Sequence, residues 1–174
     1  TLKSDAAAVV AQIAALPEKP TVADKDAVIA AKDAYDALYT KDYVTNAVKL
    51  TAALETLEKA EAYDVAAKVK DLPAIKKLTV ADKAAVKAAK DAYDAYMDTE
   101  YARHTYKNTY DFDAALKAIQ NIEKDAINEA HRPLYNKWIS DKLTADDAAA
   151  VKALQDAIAA YIDEYAEALD FEAN

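Results

Sequence analysis

The sequence predicts an all-α protein, made of tandem three-helix bundles that are joined by long shared helices into an elongated array. Three observations predict it. The stretch at residues 21–38, TVADKDAVIAAKDAYDAL, returns almost unchanged at 79–96 as TVADKAAVKAAKDAYDAY, and in worn form at 144–161 as TADDAAAVKALQDAIAAY. Within the copies the apolar residues recur at steps of three and four, which is the period of one buried helix face. The 174 residues include no glycine, which the tight turns of hairpins and sheets require. Ala, Lys, Glu, Asp and Leu dominate, as they do in helices.

Each copy opens with a helix-start signal. Thr21, Thr79 and Thr144 are followed three residues on by Asp24, Asp82 and Asp147. A threonine hydroxyl can accept from an orphan N–H of the first turn, and the acid can reach back to the N–H of the cap residue. Asp is shorter than the usual Glu or Gln, so the hydroxyl half is the firmer expectation. The stripe of the first copy is Val28, Ala31, Tyr35 and Leu38; that of the second is Val86, Ala89, Tyr93 and then Tyr96 or Met97. The charges between them, such as Lys32, Asp33 and Asp36, form a solvated face. The long, nearly regular spacing of the copies signals an array of stacked units. The interval from Thr79 to Thr144 is longer than that from Thr21 to Thr79, and the excess falls between Tyr96 and Tyr110.

The remaining elements follow in order. A first helix is expected at about 4–16, with Val9, Val10, Ile13 and Leu16 inside, stopped by Pro17 and Pro20. After the first copy, 39–45 is a turn and Asn46 is placed to cap the next helix. Nothing breaks residues 47–72, so one continuous helix is expected, closing one bundle and opening the next. Its stripe of Leu50, Leu54 and Leu57 resumes at Val65, Val69 and Leu72 after a step of one residue, about 100° around the helix. Glu55–Lys59 and Asp64–Lys68 are favourable pairs at the i,i+4 spacing. Pro73 ends this helix. Asp111 is placed to cap another, carrying Leu116, Ile119 and Ile122 and running on through Leu134, Trp138 and Ile139, with a kink or interruption at Pro133. A last helix is expected at about 145–169, without a third helix to complete its bundle. The division that results is 1–63 for the first repeat, 64–130 for the second with an insertion at 97–109, and 131–174 for a partial third, a helical hairpin.

Composition excludes several classes of function. Without glycine there is no P-loop and no dinucleotide fingerprint. Without cysteine there is no disulfide, thiolate metal site or cysteine nucleophile. Thirty-one acidic against 22 basic residues give a net charge of −9, which opposes a nucleic-acid role. No apolar run is long enough for membrane insertion. The chain starts at Thr1 and stops partway through a repeat, so it reads as a piece of a longer protein. His104 and His131 stand far apart in sequence, outside any zinc-motif spacing. Asp111/Asp113 and Asp146/Asp147 lie at helix starts, where capping accounts for them. Ser4 and Ser140 have no histidine near them in sequence, and nothing supports a hydrolase triad. No catalytic residue, cofactor or metal is expected.

The best candidate for a site is the insertion region: Tyr93, Tyr96, Tyr101, Arg103, His104, Tyr106, Lys107 and Tyr110. Tyrosine rings offer contact area at low entropy cost, and hydroxyls and cations add direction, as sugars or protein partners need. The competing reading is that these tyrosines cap the end of a bundle and turn their hydroxyls to water. Tyr35 and Tyr93 belong to the stripe and are expected in the core. His131, Arg132, Tyr135 and Trp138 form a second polar and aromatic group, expected to pack at the join of the second and third repeats.

The pattern of Leu16–Pro17, residues 21–38, 44–50 (VTNAVKL) and 57–61 (LEKAE), repeated at 72–96, resembles the helical repeats of Gram-positive cell-surface proteins, including S-layer-associated and other wall-bound proteins. The resemblance covers most of residues 7–130. It implies an extracellular, wall-associated helical module that spaces or presents other domains. It also implies, as the alternative, a binding module for a cell-wall polysaccharide or for a surface or host protein. It offers no catalytic residues. Two departures from the family pattern, the turn YTKDY and the insertion, both add tyrosine.

Overall fold

The computed structural model describes residues 2–101, 104–167 and 169. It has six α-helices: α1 (Leu2–Ala15), α2 (Lys25–Asp36), α3 (Ala47–Lys70), α4 (Lys83–Met97), α5 (Phe112–Ile139) and α6 (Ala148–Tyr165). Among the described residues there is no strand.

All three copies of the repeat begin alike. The cap threonine's N–H donates to the acid three residues on, at 2.8 Å for Thr21–Asp24, 2.8 Å for Thr79–Asp82 and 3.0 Å for Thr144–Asp147. The threonine hydroxyl donates to the same carboxylate oxygen, and the box closes in both directions. Asp is one methylene shorter than Glu, and the first turn is correspondingly tight: Val22–Asp24, Val80–Asp82 and Ala145–Asp147 are 3-10 turns that lead into α2, α4 and α6.

The chain divides into two units. The first comprises Thr1–Leu72 and Lys87–Tyr110, the second Pro73–Val86 and Asp111–Asn174. These spatial boundaries differ from those of the sequence repeat, because α4 gives its first turn to the second unit and the rest to the first.

In the first unit α1, α2 and α3 pack on one another around Val9, Ile13, Val28, Ala31, Leu50 and Leu57. Ile13, Val28 and Leu57 are fully buried, each stabilising the fold by about 1.5–3 kcal/mol over an exposed side chain. One expectation is corrected here. Asn46 stands at the N-cap of α3 but makes no capping bond; its amide instead donates to the Val10 carbonyl at 2.9 Å, tying α3 to α1. The stripe of α3 does move from Leu57 to Val65, and it does so through Glu61, all three buried; two i,i+4 steps carry the buried face about 80° around the helix. A glutamate therefore occupies the gap that the hydrophobic pattern leaves. Asp64 and Lys68 pair as expected.

In the second unit α5 and α6 pack along each other, and the 3-10 turns at Ile75–Lys77 and Val80–Asp82 sit on α5. Asp111 caps α5 by accepting from the Ala114 N–H at 2.9 Å. The buried face of α5 is Phe112, Ala115, Ile119 and Ile127, while Ile122 is exposed, so the expected Leu116–Ile119–Ile122 stripe is turned by about one position. Pro133 does not interrupt the helix. It removes the donor that would serve the Glu129 carbonyl, but Glu129 is exposed and water can replace that donor. Past Ile139 and the C-cap Ser140, Asp141 adopts the left-handed region at φ 54°, with the Lys142 N–H returning to the Lys137 carbonyl at 2.8 Å. In a chain without glycine, this position falls to a residue type that tolerates it.

Candidate functional site

The insertion expected at 97–109 begins at Met97, the last residue of α4, and from 98 to 110 the chain has no helix or strand where it is described. Tyr96, in the last turn of α4, is only 1% exposed and is the stripe residue, while Met97 is exposed. The Tyr96 hydroxyl accepts from the Tyr106 N–H at 3.1 Å, and its ring meets His104 edge-on with centroids 5.5 Å apart. Tyr106 packs edge-on against Tyr93 at 6.4 Å. The Thr99 hydroxyl is buried and donates to the Tyr96 carbonyl. Asn108 brackets Tyr110, donating to its carbonyl at 2.8 Å and accepting from its N–H at 2.9 Å. Tyr35 and Tyr93 are half-buried rather than fully enclosed, and so are Tyr101, His104, Tyr106 and Tyr110; Lys107 is exposed. Arg103 lies outside the described residues.

The centre of this arrangement is Glu61. Its side chain is 7% exposed and pairs with Lys25 at 2.7 Å. Its second oxygen accepts from the Tyr101 hydroxyl at 2.7 Å. One turn earlier, Glu58 is buried and accepts weakly from the Thr105 N–H at 3.4 Å. Loss of solvation, and then the neighbouring Glu61 carboxylate, hold the Tyr101 phenol well above its usual pKa. The loop is thus moored to α3 by charge-assisted hydrogen bonds.

The second unit repeats this clasp. Lys83 reaches Glu123 at 3.0 Å and Glu164 at 2.5 Å, and the Tyr165 hydroxyl donates to Glu123 at 2.6 Å. Lys83 also lies over the Tyr165 ring, 4.7 Å from its centroid. The lysines correspond in position, while the glutamates share a helix type and not a register, since Glu123 matches Glu58 when α3 and α5 are aligned at Asn46 and Asp111. Lys25 and Lys83 directly follow the capping acid, and Glu61 and Glu123 lie on the next long helix. Tyr101 and Tyr165 follow Thr79 and Thr144 at nearly the same interval. Partial burial works against the Lys83 ammonium, but hydrogen bonds to Glu164, Tyr165 and Glu123 outweigh it and raise its pKa. Loss of solvation and Glu123 raise that of Tyr165.

These upward shifts bear on stability at alkaline pH. A tyrosine or lysine whose pKa is raised on folding keeps its proton in the native state after the unfolded chain has lost it. Its stabilisation is complete below its unfolded pKa, 10.0 for Tyr101 and Tyr165 and 10.5 for Lys83, and is lost as pH rises above that. Thermal unfolding followed from neutral to strongly alkaline pH is expected to show Tm falling from about pH 10, with a shallower fall in Tyr101→Phe and Tyr165→Phe.

Hydrophobic patterning discards a glutamate, so the clasp escapes it. A signal is nevertheless present: both better copies read TVADK, and the worn copy has Ala148 in place of that lysine.

In the second aromatic group, His131 stacks on Tyr135 at 5.4 Å and Tyr135 leans on Trp138 at 5.9 Å. Trp138 is 63% exposed. Among the described residues no set of three or more His, Asp or Glu side chains could hold a metal ion, and no helix is long and apolar enough to cross a membrane. Comparison with protein-family models, with curated proteins and with solved structures finds no match.

Proposed function

We propose that this chain is a non-enzymatic structural and interaction module of a bacterial cell-surface protein. In this reading it is an extracellular helical spacer at the cell wall, with tandem three-helix bundles sharing long helices in an elongated array. The observation that supports it best is the repeated Lys–Glu–Tyr clasp. The polar and aromatic groups best suited to a site are engaged in tying helices and loop together, and the same device recurs where the repeat recurs. A spacer needs such redundancy, since each small unit buries too little apolar surface to be very stable alone.

A second reading remains attached to the insertion. Lys107 is exposed, and Tyr106 and Tyr110 keep part of their surface in solvent, so the loop presents a cation among aromatic rings, as a glycan or protein contact would use. Co-sedimentation with Gram-positive cell walls, before and after removal of their secondary polymers, separates the two. The spacer reading predicts no binding to either preparation. Binding that disappears on stripping, and that Tyr106→Ala with Lys107→Ala weakens at least about tenfold in a folded protein, would replace it with a wall-polymer anchor.

A further inference from the structure

The three copies of the repeat are not equally covered. The residue before the cap threonine is buried as Pro20 and Leu78 but 41% exposed as Leu143. The first stripe residue is fully buried as Val28 and Val86, yet Val151 is only half-buried. The next is buried as Ala31 and Ala89, and half-buried as Leu154. In the first copy the cover is known: α3 lays Leu50, Ala53 and Leu57 in the same core as Val28 and Ala31. In the third copy the corresponding space is a groove of about 560 Å³ between α5 and α6, walled by Ala126, Ala130, Ala150, Ala153, Leu154 and Ala157. Leu134 and Leu154 line both this groove and an adjoining pocket of about 330 Å³ that includes Trp138.

We propose that this face of α5 and α6 is the seat of an amphipathic helix of the repeat's own third-helix type, with the leucine and alanine stripe that α3 turns onto α2. Alanine walls admit a helix at close range, and helix-in-groove docking reads anchors spaced three and four apart. The register of the repeat names the same occupant. The interval from Thr21 to Asn46, laid off again from Thr144, reaches Leu169, beside Asp170. There the sequence reads Asp-Phe-Glu-Ala, as it reads Asp-Phe-Asp-Ala at the start of α5. Ala148 replaces the clasp lysine, and the one lysine that lines the groove, Lys137, is already paired with Asp147 at 2.5 Å, so the groove rewards chiefly the apolar stripe of its occupant.

This docking role rests on the interaction side of the proposed function, but its readout is separate, since wall binding and helix binding can each fail alone. Trp138 is the chain's single tryptophan and reports on the site. The probe is a synthetic peptide of residues 44–61, which contains no tryptophan. Saturable blue-shifted Trp138 emission is expected on titration. Ala153→Glu, at an exposed position and with a good helix former, should weaken binding at least about tenfold with helicity unchanged. A peptide carrying Leu54→Asp and Leu57→Asp should not bind. Absence of any shift at millimolar peptide would overturn the proposal, as would a shift that survives in Ala153→Glu. A blue shift that grows with protein concentration alone, in step with a dimer in sedimentation, would also overturn it and assign the face to a second copy of the chain.

Discussion

Replacing Glu61 with alanine is expected to destabilise the first unit by about 2–3 kcal/mol, the range for hydrogen bonds to a charged, poorly solvated group. The substitution removes the acceptor of the Tyr101 hydroxyl and the partner of Lys25 together. Lys25 keeps 27% of its side-chain exposure, so water recovers part of its loss, and the cost stays below that of a fully enclosed pair. Urea unfolding followed by circular dichroism measures it. Glu129→Ala, at an exposed position on α5, is the control and should stay within about 0.5 kcal/mol of the parent. The comparison separates a glutamate held in a clasp from one that merely decorates a helix.

Tyr96→Ala is expected to cost still more, about 3–5 kcal/mol, as for other buried aromatic side chains cut to alanine. Tyr96 is almost wholly enclosed, and its ring supports His104 while its hydroxyl holds the Tyr106 N–H. Tyr96→Phe keeps the ring and loses only that acceptor, so it should cost about 1–2 kcal/mol. A surface residue that contacts a ligand would behave differently: both substitutions would leave the unfolding midpoint nearly unchanged. The same urea titration distinguishes these outcomes for a tyrosine that composition alone marks as a binding residue.

The helices are legible in the sequence because their signals are local. Periodic apolar residues, threonine–aspartate caps and Pro73 mark α2, α3 and α4 to within a few residues. The long α3 is legible for the same reason, since nothing in it breaks the pattern. What is missed lies between Leu57 and Val65, where a buried glutamate, Glu61, stands in an apolar position. Burial of Glu61 depends on Lys25 and Tyr101, which lie on distant parts of the chain, and no local rule brings them together. Asn46 is misread likewise: its side chain has a choice between the helix end beneath it and the Val10 carbonyl on α1. The candidate site is legible as a cluster of residue types but not as an arrangement. Tyr96, Tyr101 and Tyr106 do gather in one unit, yet whether a tyrosine faces solvent or a carboxylate is settled by packing.

Taken from the sequence alone, the insertion is a set of aromatic and basic groups looking for a ligand. In the folded unit two of the candidate tyrosines are engaged: Tyr96, on α4, holds the loop through the Tyr106 N–H, and Tyr101 is bound to α3. A double-mutant cycle on Glu61 and Tyr101 tests this most directly. Stability is measured for the parent, Glu61→Ala, Tyr101→Phe and the double variant by urea unfolding. The clasp predicts non-additive losses, with a coupling energy of about 1 kcal/mol or more between the two sites. Strictly additive losses, with coupling indistinguishable from zero, would contradict it and return Tyr101 to the surface as a residue available to a ligand.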